Sequence, residues 1–310
     1  MPLTLEQYAD YLDTRDLPWP VPPEPVPPRA KPSLHRLPGV RAVMWNLYGT
    51  LLVIGEGELL FEHPSDFVMY AALDKTIQEF KMWQSMSRKP GQPAEYMREI
   101  YKKVLFEQQA VTGEPAAERV WEAIVKKLFQ KEYQFDAGFY GSLNEFARKI
   151  AYFFHASLQG TACYPGAAEA LRAVRAAGLE QGLLADGQSF STVQLARGLK
   201  AQCGAAHLDE LIPPPLRVLS AEAKARKPAE AIFRRALQAL KARDIAPDEA
   251  LHVGSSLERD IAPAKKHGMR TALFAGDRNS LRADPHLVKE PAYRPDVLLT
   301  ELPQIAEVVG

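Results

Sequence analysis

The residues that could carry chemistry follow the ends of four predicted strands. The stretch "VMWNLYGTLLV", residues 43–53, has the apolar pattern of a buried strand that runs into a Gly-Thr turn. In a doubly wound α/β sheet, ligands bind beyond the carboxyl ends of the strands, so residues just past those ends are the candidates. They are Asn46, Tyr48, Thr50, Ala185, Asp186, Gly187, Lys227, Ser255, Ser256 and Asp260. A lysine and a carboxylate at one sheet edge can hold an anionic group or pair with each other.

The elements that position these residues alternate along the chain. Apolar runs of strand length occupy 41–46, 180–185, 217–221, 250–256 and 270–276, and helical patterns occupy 166–178, 191–200, 228–243 and 259–268. Strands that alternate with helices of this length predict a parallel sheet covered by helices. We therefore expect an α/β fold with a doubly wound, mostly parallel sheet.

Two further segments complete the expected organisation. Residues 66–159 contain no strand pattern but several amphipathic helical runs, which predict a helical insertion after the first core strand. Thr4 and Gln7 form a capping-box pattern for a short first helix, and residues 17–32 are half proline, which predicts an extended arm. The predicted units are an N-terminal helix and arm (1–37), an α/β core (38–56 and 160–310) and a helical insertion (57–159).

Local patterns give expectations for three of the candidates. Pro228 is typical of a first helical turn, which would place Lys227 at the N-cap. The pair Asp186-Gly187 is expected to form the turn after its strand, and the alternative is that Asp186 adds a carboxylate to the pocket. His252 lies inside an apolar strand and is expected to be a hydrogen-bonded core histidine.

Composition narrows the function classes. The formal net charge is zero, so neither nucleic acid nor an acidic membrane surface is an expected partner, and no apolar run reaches the roughly 20 residues of a membrane span. The two cysteines, Cys163 and Cys203, are too few for a disulfide framework. We expect a cytoplasmic protein. The sequence does not indicate an oligomeric state.

The four motifs, in this order, resemble the haloacid dehalogenase-like (HAD) hydrolases. The similar segments are "NLYGTLL", "YPGAAEALRAVRAAGLEQGLLADGQ", "ARKPAEAIF", "HVGSSLERDIAPAKKHGM" and "RPDVLLTELPQI", and together they cover about residues 38–310. The resemblance implies that the helical insertion is the family's α-helical cap. It also implies an aspartate nucleophile, a second aspartate as acid/base, a hydroxyl residue, a lysine that balances charge, and acids that bind Mg²⁺.

Several of these implied positions carry other residue types. Asn46 stands at the nucleophile position, Tyr48 at the acid/base position, Ala185 at the hydroxyl position and Ser255 at the first metal acid. An amide is a poor nucleophile and cannot form the covalent intermediate. Asp260 is the single matching acid and would be a weak metal ligand, so no cofactor is expected. Mg²⁺ is expected only if the chain is an active hydrolase.

Other positions match, and one group of relatives resembles the chain in a different way. Lys227, Asp260, Gly49 and Thr50 agree with the family pattern, and a plain pair between Lys227 and Asp260 is the expected arrangement. Tyr-Gly-Thr after the first strand and Ser-Ser after the fourth are also similar to the metal-free haloacid dehalogenases. Those enzymes too need a carboxylate where Asn46 stands.

Two functions therefore remain open. The first is a pseudoenzyme: a catalytically degenerate HAD-like protein that binds either a small anionic ligand near Lys227 and the first-loop amides, or a protein partner through the arm and cap. The second is an active hydrolase of phosphate esters or 2-haloacids, or one whose nucleophile was changed to trap substrate. Because Ala185 and Ser255 differ as well as Asn46, drift explains the pattern better than a single trapping change.

Overall fold

The computed structural model describes residues 1–85, 92–204 and 208–309. Its main sheet has six strands in the order β5-β4-β1-β6-β7-β8, and all of its pairings are parallel. β2 and β3 form a separate antiparallel pair. The strands are β1 Ala42–Trp45, β2 Leu52–Val53, β3 Ala162–Cys163, β4 Glu180–Ala185, β5 Arg217–Leu219, β6 Ala250–Gly254, β7 Arg270–Phe274 and β8 Val297–Leu299. The predicted doubly wound parallel sheet is confirmed.

Helices of five to twenty residues, with a few single turns, connect and cover the strands. The α-helices are α1 Leu5–Asp13, α2 Asp66–Glu79, α3 Pro93–Thr112, α4 Ala117–Phe129, α5 Ala137–Tyr140, α6 Leu143–Leu158, α7 Ala167–Ala176, α8 Ser191–Cys203, α9 Leu208–Leu211, α10 Ser220–Ala223, α11 Glu230–Lys241, α12 Ala262–Lys266 and α13 Ile305–Val309. A π-helical turn, Leu257–Ile261, precedes α12. The predicted strand at 217–221 ends at Leu219, because Ser220 already begins the short helix α10.

The central strands are apolar because both faces of the sheet are covered. Every residue of β1 and of β6 is buried. The side chains of Met44, Leu184 and Val218 pack with Ile232 and Phe233 of α11 in one core cluster. Burying each such side chain stabilises the fold by roughly 1.5–3 kcal/mol, so the sheet is held rigidly and its strand ends have fixed positions.

The chain divides into two compact units. A helical unit comprises Met1–Val21, Leu59–Gly160 and Gln188–Val193, and a core unit comprises Pro22–Glu58, Thr161–Gly187 and Gln194–Gly310. The predicted N-terminal segment 1–37 is thus split between the two units. Among the described residues, no helix has the length and apolar character needed to cross a membrane.

The first helix begins with a capping box, and the arm is bonded to the core unit. α1 has the predicted capping box, with the Thr4 side chain accepting from the backbone N–H of Gln7. Within the core unit, the arm is fixed through its backbone: Ser33 and Leu298 exchange two hydrogen bonds of 3.0 Å, and the N–H of Arg278 donates to the carbonyl of Val26. The proline-rich residues 17–32 contain no helix or strand.

A buried histidine lies among aromatic rings inside the helical unit. His155 on α6 is fully buried, with ring centroids 5.3 Å from Phe61 and 5.1 Å from Phe190. Burial lowers the pKa of His155 from 6.5 to about 3. The imidazole is therefore neutral in the folded protein at neutral and mildly acidic pH.

This burial should make stability depend on pH. Because the folded pKa lies below the unfolded value, the unfolded state binds the proton first, and stability falls as the pH drops below 6.5. The slope should be about 1.4 kcal/mol per pH unit. In urea titrations between pH 7 and 5, His155→Phe should lose less stability than the parent protein, whereas the exposed control His286→Gln should behave as the parent. Equal slopes for the parent and His155→Phe would contradict this assignment.

Candidate active site

The carboxyl ends of β1, β4 and β6 border a pocket in the core unit. Its cavity volume is about 60 Å³, enough for a small group. The lining residues are Asn46, Tyr48, Glu56, Gly57, Glu58, Asp186, Lys227, Ser255, Ser256, Arg259, Asp260, Ser280 and Arg282. The strand ends predicted from the sequence therefore do converge on one pocket.

Asn46, the first residue after β1, is held by three hydrogen bonds. Its Nδ2 donates to the Tyr48 carbonyl at 2.9 Å and to the Thr50 hydroxyl at 3.3 Å, and its Oδ1 accepts from Lys227 Nζ at 2.8 Å. Since an ammonium group can only donate, the atom that faces Lys227 must be the amide oxygen. Both ends of the amide are thus bonded within the chain.

Lys227 and Asp260 form the predicted ion pair, and it is almost fully buried. Lys227 Nζ donates to Asp260 Oδ1, and the two side chains are each 2% exposed. Asp260 also accepts from the N–H of Ser256 at 3.0 Å and contacts His252 Nε2 at 3.2 Å. Burial acts to raise the pKa of Asp260, but the Lys227 charge and the bonds from His252 and Lys227 hold it well below its usual range.

The glycine that ends β6 makes this position possible for Asp260. A Cβ on Gly254 would lie 2.3 Å from the Asp260 carboxyl carbon, so only glycine lets that carboxylate approach the strand end. His252, one of the preceding residues in β6, has its Nδ1 2.9 Å from the Met44 carbonyl. The prediction of a hydrogen-bonded core histidine is confirmed.

Three of the predicted site residues do not line the pocket. Thr50 is fully buried, and its hydroxyl bonds to Asn46. Ala185, the last residue of β4, is also fully buried, and the N–H of Gly187 donates to the Ser220 hydroxyl at 3.1 Å. Thr50 and Gly187 thus support neighbouring groups, and Ala185 supplies no polar atom at the position where the family resemblance implies a hydroxyl.

One expectation about orientation is wrong, and for Asp186 the structure agrees with the alternative, a carboxylate in the pocket. Lys227 is not the N-cap of a helix: an Ala229 N–H to Arg226 carbonyl bond closes a turn there, the Lys227-Pro228 peptide is cis, and α11 begins at Glu230 with Ala229 as its N-cap. Asp186 is more than a turn residue, because its carboxylate lines the pocket. It accepts from the Lys227 backbone N–H at 2.8 Å and from Arg259 Nη2 at 2.5 Å.

Charged residues that were not predicted from the sequence also line the pocket. Arg259, on the π-helical turn, bridges Asp186 and Glu58. Burial acts to lower the pKa of Arg259, but Asp186 and Glu58 outweigh it and raise the pKa. Glu56, Gly57, Ser280 and Arg282 come from the loops after β2 and β7. The acidic "GEGE" segment (55–58) was the available signal, since two acids in a loop after a core strand can pair with cations at the same sheet edge.

The residues present fit Mg²⁺ poorly. Mg²⁺ prefers several anionic oxygens in an octahedral arrangement. In the parts of the chain that the structure describes, no group of three or more His, Cys, Asp or Glu side chains could hold a metal ion. Asp260 is already bonded to Lys227, and the Tyr48 carbonyl already accepts from Asn46. We therefore derive no chemical step through a metal ion.

The fold and the order of the site residues define a HAD-type α/β protein, and comparison with known proteins agrees. A sequence model of the family described as haloacid dehalogenase-like hydrolase matches residues 40–268. Because this match covers well over half of the chain, the chain belongs to the haloacid dehalogenase-like hydrolase family.

Individual relatives are more distant. The chain is 30% identical over 145 residues to glyceraldehyde 3-phosphate phosphatase from Pyrococcus furiosus, a match of 47% of this chain and 53% of that protein. It therefore spans about half the length of that relative. A 2-haloacid dehalogenase from Pseudomonas syringae pv. Tomato DC3000 has a TM-score of 0.53 at 19% identity, over 86% of this chain and 97% of that chain. A HAD phosphatase from Thermococcus onnurineus has a TM-score of 0.47 at 18% identity, over 86% and 96% of the two chains. The similarity to the 2-haloacid dehalogenase shows the fold alone.

The ion pair should matter for stability. Asp260→Asn leaves the Lys227 ammonium buried without its counter-charge, so the free energy of unfolding should fall by about 3 kcal/mol. The double variant Lys227→Met, Asp260→Asn should recover part of this loss. Glu222→Gln, which removes an exposed pair with Arg235, should change stability little. Urea denaturation measures all three, and a small loss for Asp260→Asn would show that the pair is weakly coupled to folding.

Proposed function

We propose that this HAD-family protein binds a small anionic ligand at the β1, β4 and β6 strand ends and does not hydrolyse it through a covalent intermediate. The observation that carries this proposal is the bonding of Asn46. The residue at the nucleophile position is a neutral amide with both ends engaged, whereas covalent catalysis requires a free anionic oxygen.

The surroundings of Asn46 also favour an amide over a carboxylate. The Nδ2 group lies 2.9 Å from the Tyr48 carbonyl oxygen. A carboxylate at position 46 would turn this contact into two acceptor oxygens that face each other, which is unfavourable unless a cation or a proton lies between them. The amide N–H thus supplies the positive partner that the pair of oxygens needs.

Tyr48 is likewise engaged in a way that does not suit acid/base catalysis. Its hydroxyl donates to Gln194 Oε1 at 2.5 Å. Two further replacements complete the set. Ser255 brings no carboxylate to the position of the first metal acid, and Ala185 brings no hydroxyl to the position of the hydroxyl residue. The replaced positions therefore agree with one another, which supports binding without turnover.

A small anion is a better candidate ligand than a protein partner that docks on the arm. The backbone groups of Val26, Ser33 and Leu37 are bonded to residues of the same core unit. A segment that is bonded in this way has fewer free backbone groups to offer a partner. Lys227, Arg259 and Arg282, by contrast, all line the pocket and are cations of the kind that bind phosphate or carboxylate groups.

A second candidate is an active hydrolase of phosphate esters or 2-haloacids. Family membership and the partial match to a glyceraldehyde 3-phosphate phosphatase favour it. Under this alternative either the parent protein turns over substrate as it stands, or Asn46 replaces an aspartate that the chemistry needs and the single change Asn46→Asp restores the reaction. Activity assays separate the two candidates.

The purified protein should release no p-nitrophenol from p-nitrophenyl phosphate, no phosphate from glyceraldehyde 3-phosphate and no halide from a 2-haloacid, each with and without Mg²⁺. Its rates should equal those of Asn46→Ala, because the amide is not a nucleophile. Asn46→Asp should also remain inactive, since position 255 still lacks its acid. Intact mass should confirm the amide at position 46, because deamidation would create an aspartate.

Two results would contradict the proposal. Turnover by the parent protein that is lost in Lys227→Ala would establish an active hydrolase. Turnover gained by Asn46→Asp alone, together with a Mg²⁺-dependent rise in its thermal stability, would establish that the metal site is intact and that the single amide blocks the reaction.

A further inference from the structure

The cations in and beside the pocket are each paired with a carboxylate of the same chain. Arg226 pairs with Glu58, Lys227 with Asp260, Arg282 with Glu56, and Arg259 with both Asp186 and Glu58. Four cations thus face four carboxylates. A ligand anion that enters this pocket finds no surplus positive charge unless one of the carboxylates leaves its partner.

The carboxylates differ in how firmly they are held. Asp260 is 2% exposed, and Asp186 is 12% exposed with a bond of 2.5 Å to Arg259. Glu58 is 42% exposed, and its Oε2 lies 3.1 Å from Arg259 and 3.5 Å from Arg226. Charge-assisted hydrogen bonds are usually about 2.7–2.9 Å long, so these two contacts with the arginines are loose.

Glu56 is the other exposed carboxylate, but it pairs with a different cation, Arg282. It is 76% exposed and pairs with Arg282 at 3.4 Å. Arg282 Nη2 also donates to the Glu56 carbonyl at 2.8 Å, so this arginine keeps a backbone acceptor whatever the Glu56 side chain does. Glu58, in contrast, lies between two guanidinium groups, those of Arg226 and Arg259, and its release would expose both to one position while Arg259 stays bonded to Asp186.

We propose that Glu58 is an internal counter-ion that occupies the place of the ligand's anionic group, and that an oxyanion binds Arg226 and Arg259 by displacing it. Two guanidinium groups that converge on one carboxylate oxygen are suited to the oxygens of a phosphate or similar group. Lys227 and the serine hydroxyls of the pocket lie in the same lining. This inference rests on the anion binding proposed above. It adds that Glu58 competes with the ligand anion for the two arginines.

The test is calorimetric titration of the full-length protein with inorganic phosphate at low ionic strength. Glu58→Gln removes the competing charge and should tighten phosphate binding about fivefold, the effect of releasing one weak ion pair. Glu58→Ala should act in the same direction. Arg259→Gln should weaken binding, and added chloride should weaken it in all variants.

Two control variants distinguish displacement from a general change of charge. Glu56→Gln removes an equal negative charge from the same pocket and should increase the phosphate affinity clearly less than Glu58→Gln does. Glu222→Gln, whose partner Arg235 lies at 3.4 Å, removes a comparable exposed pair that is not part of the lining and should bind phosphate as the parent does.

The outcomes also separate this inference from the proposed function. If the parent and Glu58→Gln bind phosphate equally, or if Glu56→Gln matches Glu58→Gln, displacement is wrong while anion binding stands. If neither the parent nor Glu58→Gln binds phosphate, both ideas fail. Hydrolysis in the activity assays, with tighter binding by Glu58→Gln, would retain the displaced counter-ion and reject the non-catalytic function.

Discussion

The site is organised by the positive charge on Lys227, which is buried at the end of the parallel sheet. A buried ammonium group requires oxygen partners, and here they come from Asn46, directly after β1, and from Asp260, on the π-helical turn that follows β6. Asp260 in turn requires donors, which it receives from the Ser256 N–H and at Lys227. Asn46 and Asp260 therefore stabilise the Lys227 ammonium directly, and the Ser256 N–H does so through Asp260.

The replaced residues form a consistent set when viewed from Lys227. With an amide at position 46, the lysine still has an oxygen to bond, but one negative charge fewer to balance. The remaining charge of Asp260 is sufficient for one lysine, and no cation is needed to hold further carboxylates together. The Lys227–Asp260 pair thus balances its own charge within the chain.

The sequence was sufficient for the features that follow from the sheet. Alternating strands and helices predict a parallel sheet, and residues that follow β5 and β6 must lie at one edge of it, so the contact between Lys227 and Asp260 was predictable. The direction of Asp186 was not, because the alternation of side chains along a strand no longer applies one residue past its end. The turn at Lys227 depends on a tertiary contact, its backbone bond to Asp186. The pairing of Glu58 with Arg259 joins residues far apart in sequence that lie in loops, where no periodic pattern exists.

The exchange of backbone hydrogen bonds between Ser33 and Leu298 has a consequence for the whole molecule. β8 is the outermost strand on its side of the sheet, and a bare outer strand is a template on which another chain can add a strand. The arm occupies part of that template with a segment too rich in proline to extend the ladder further. A shortened protein that begins after residue 37 would keep the residues that line the pocket but leave this flank open, and self-association would be its characteristic defect.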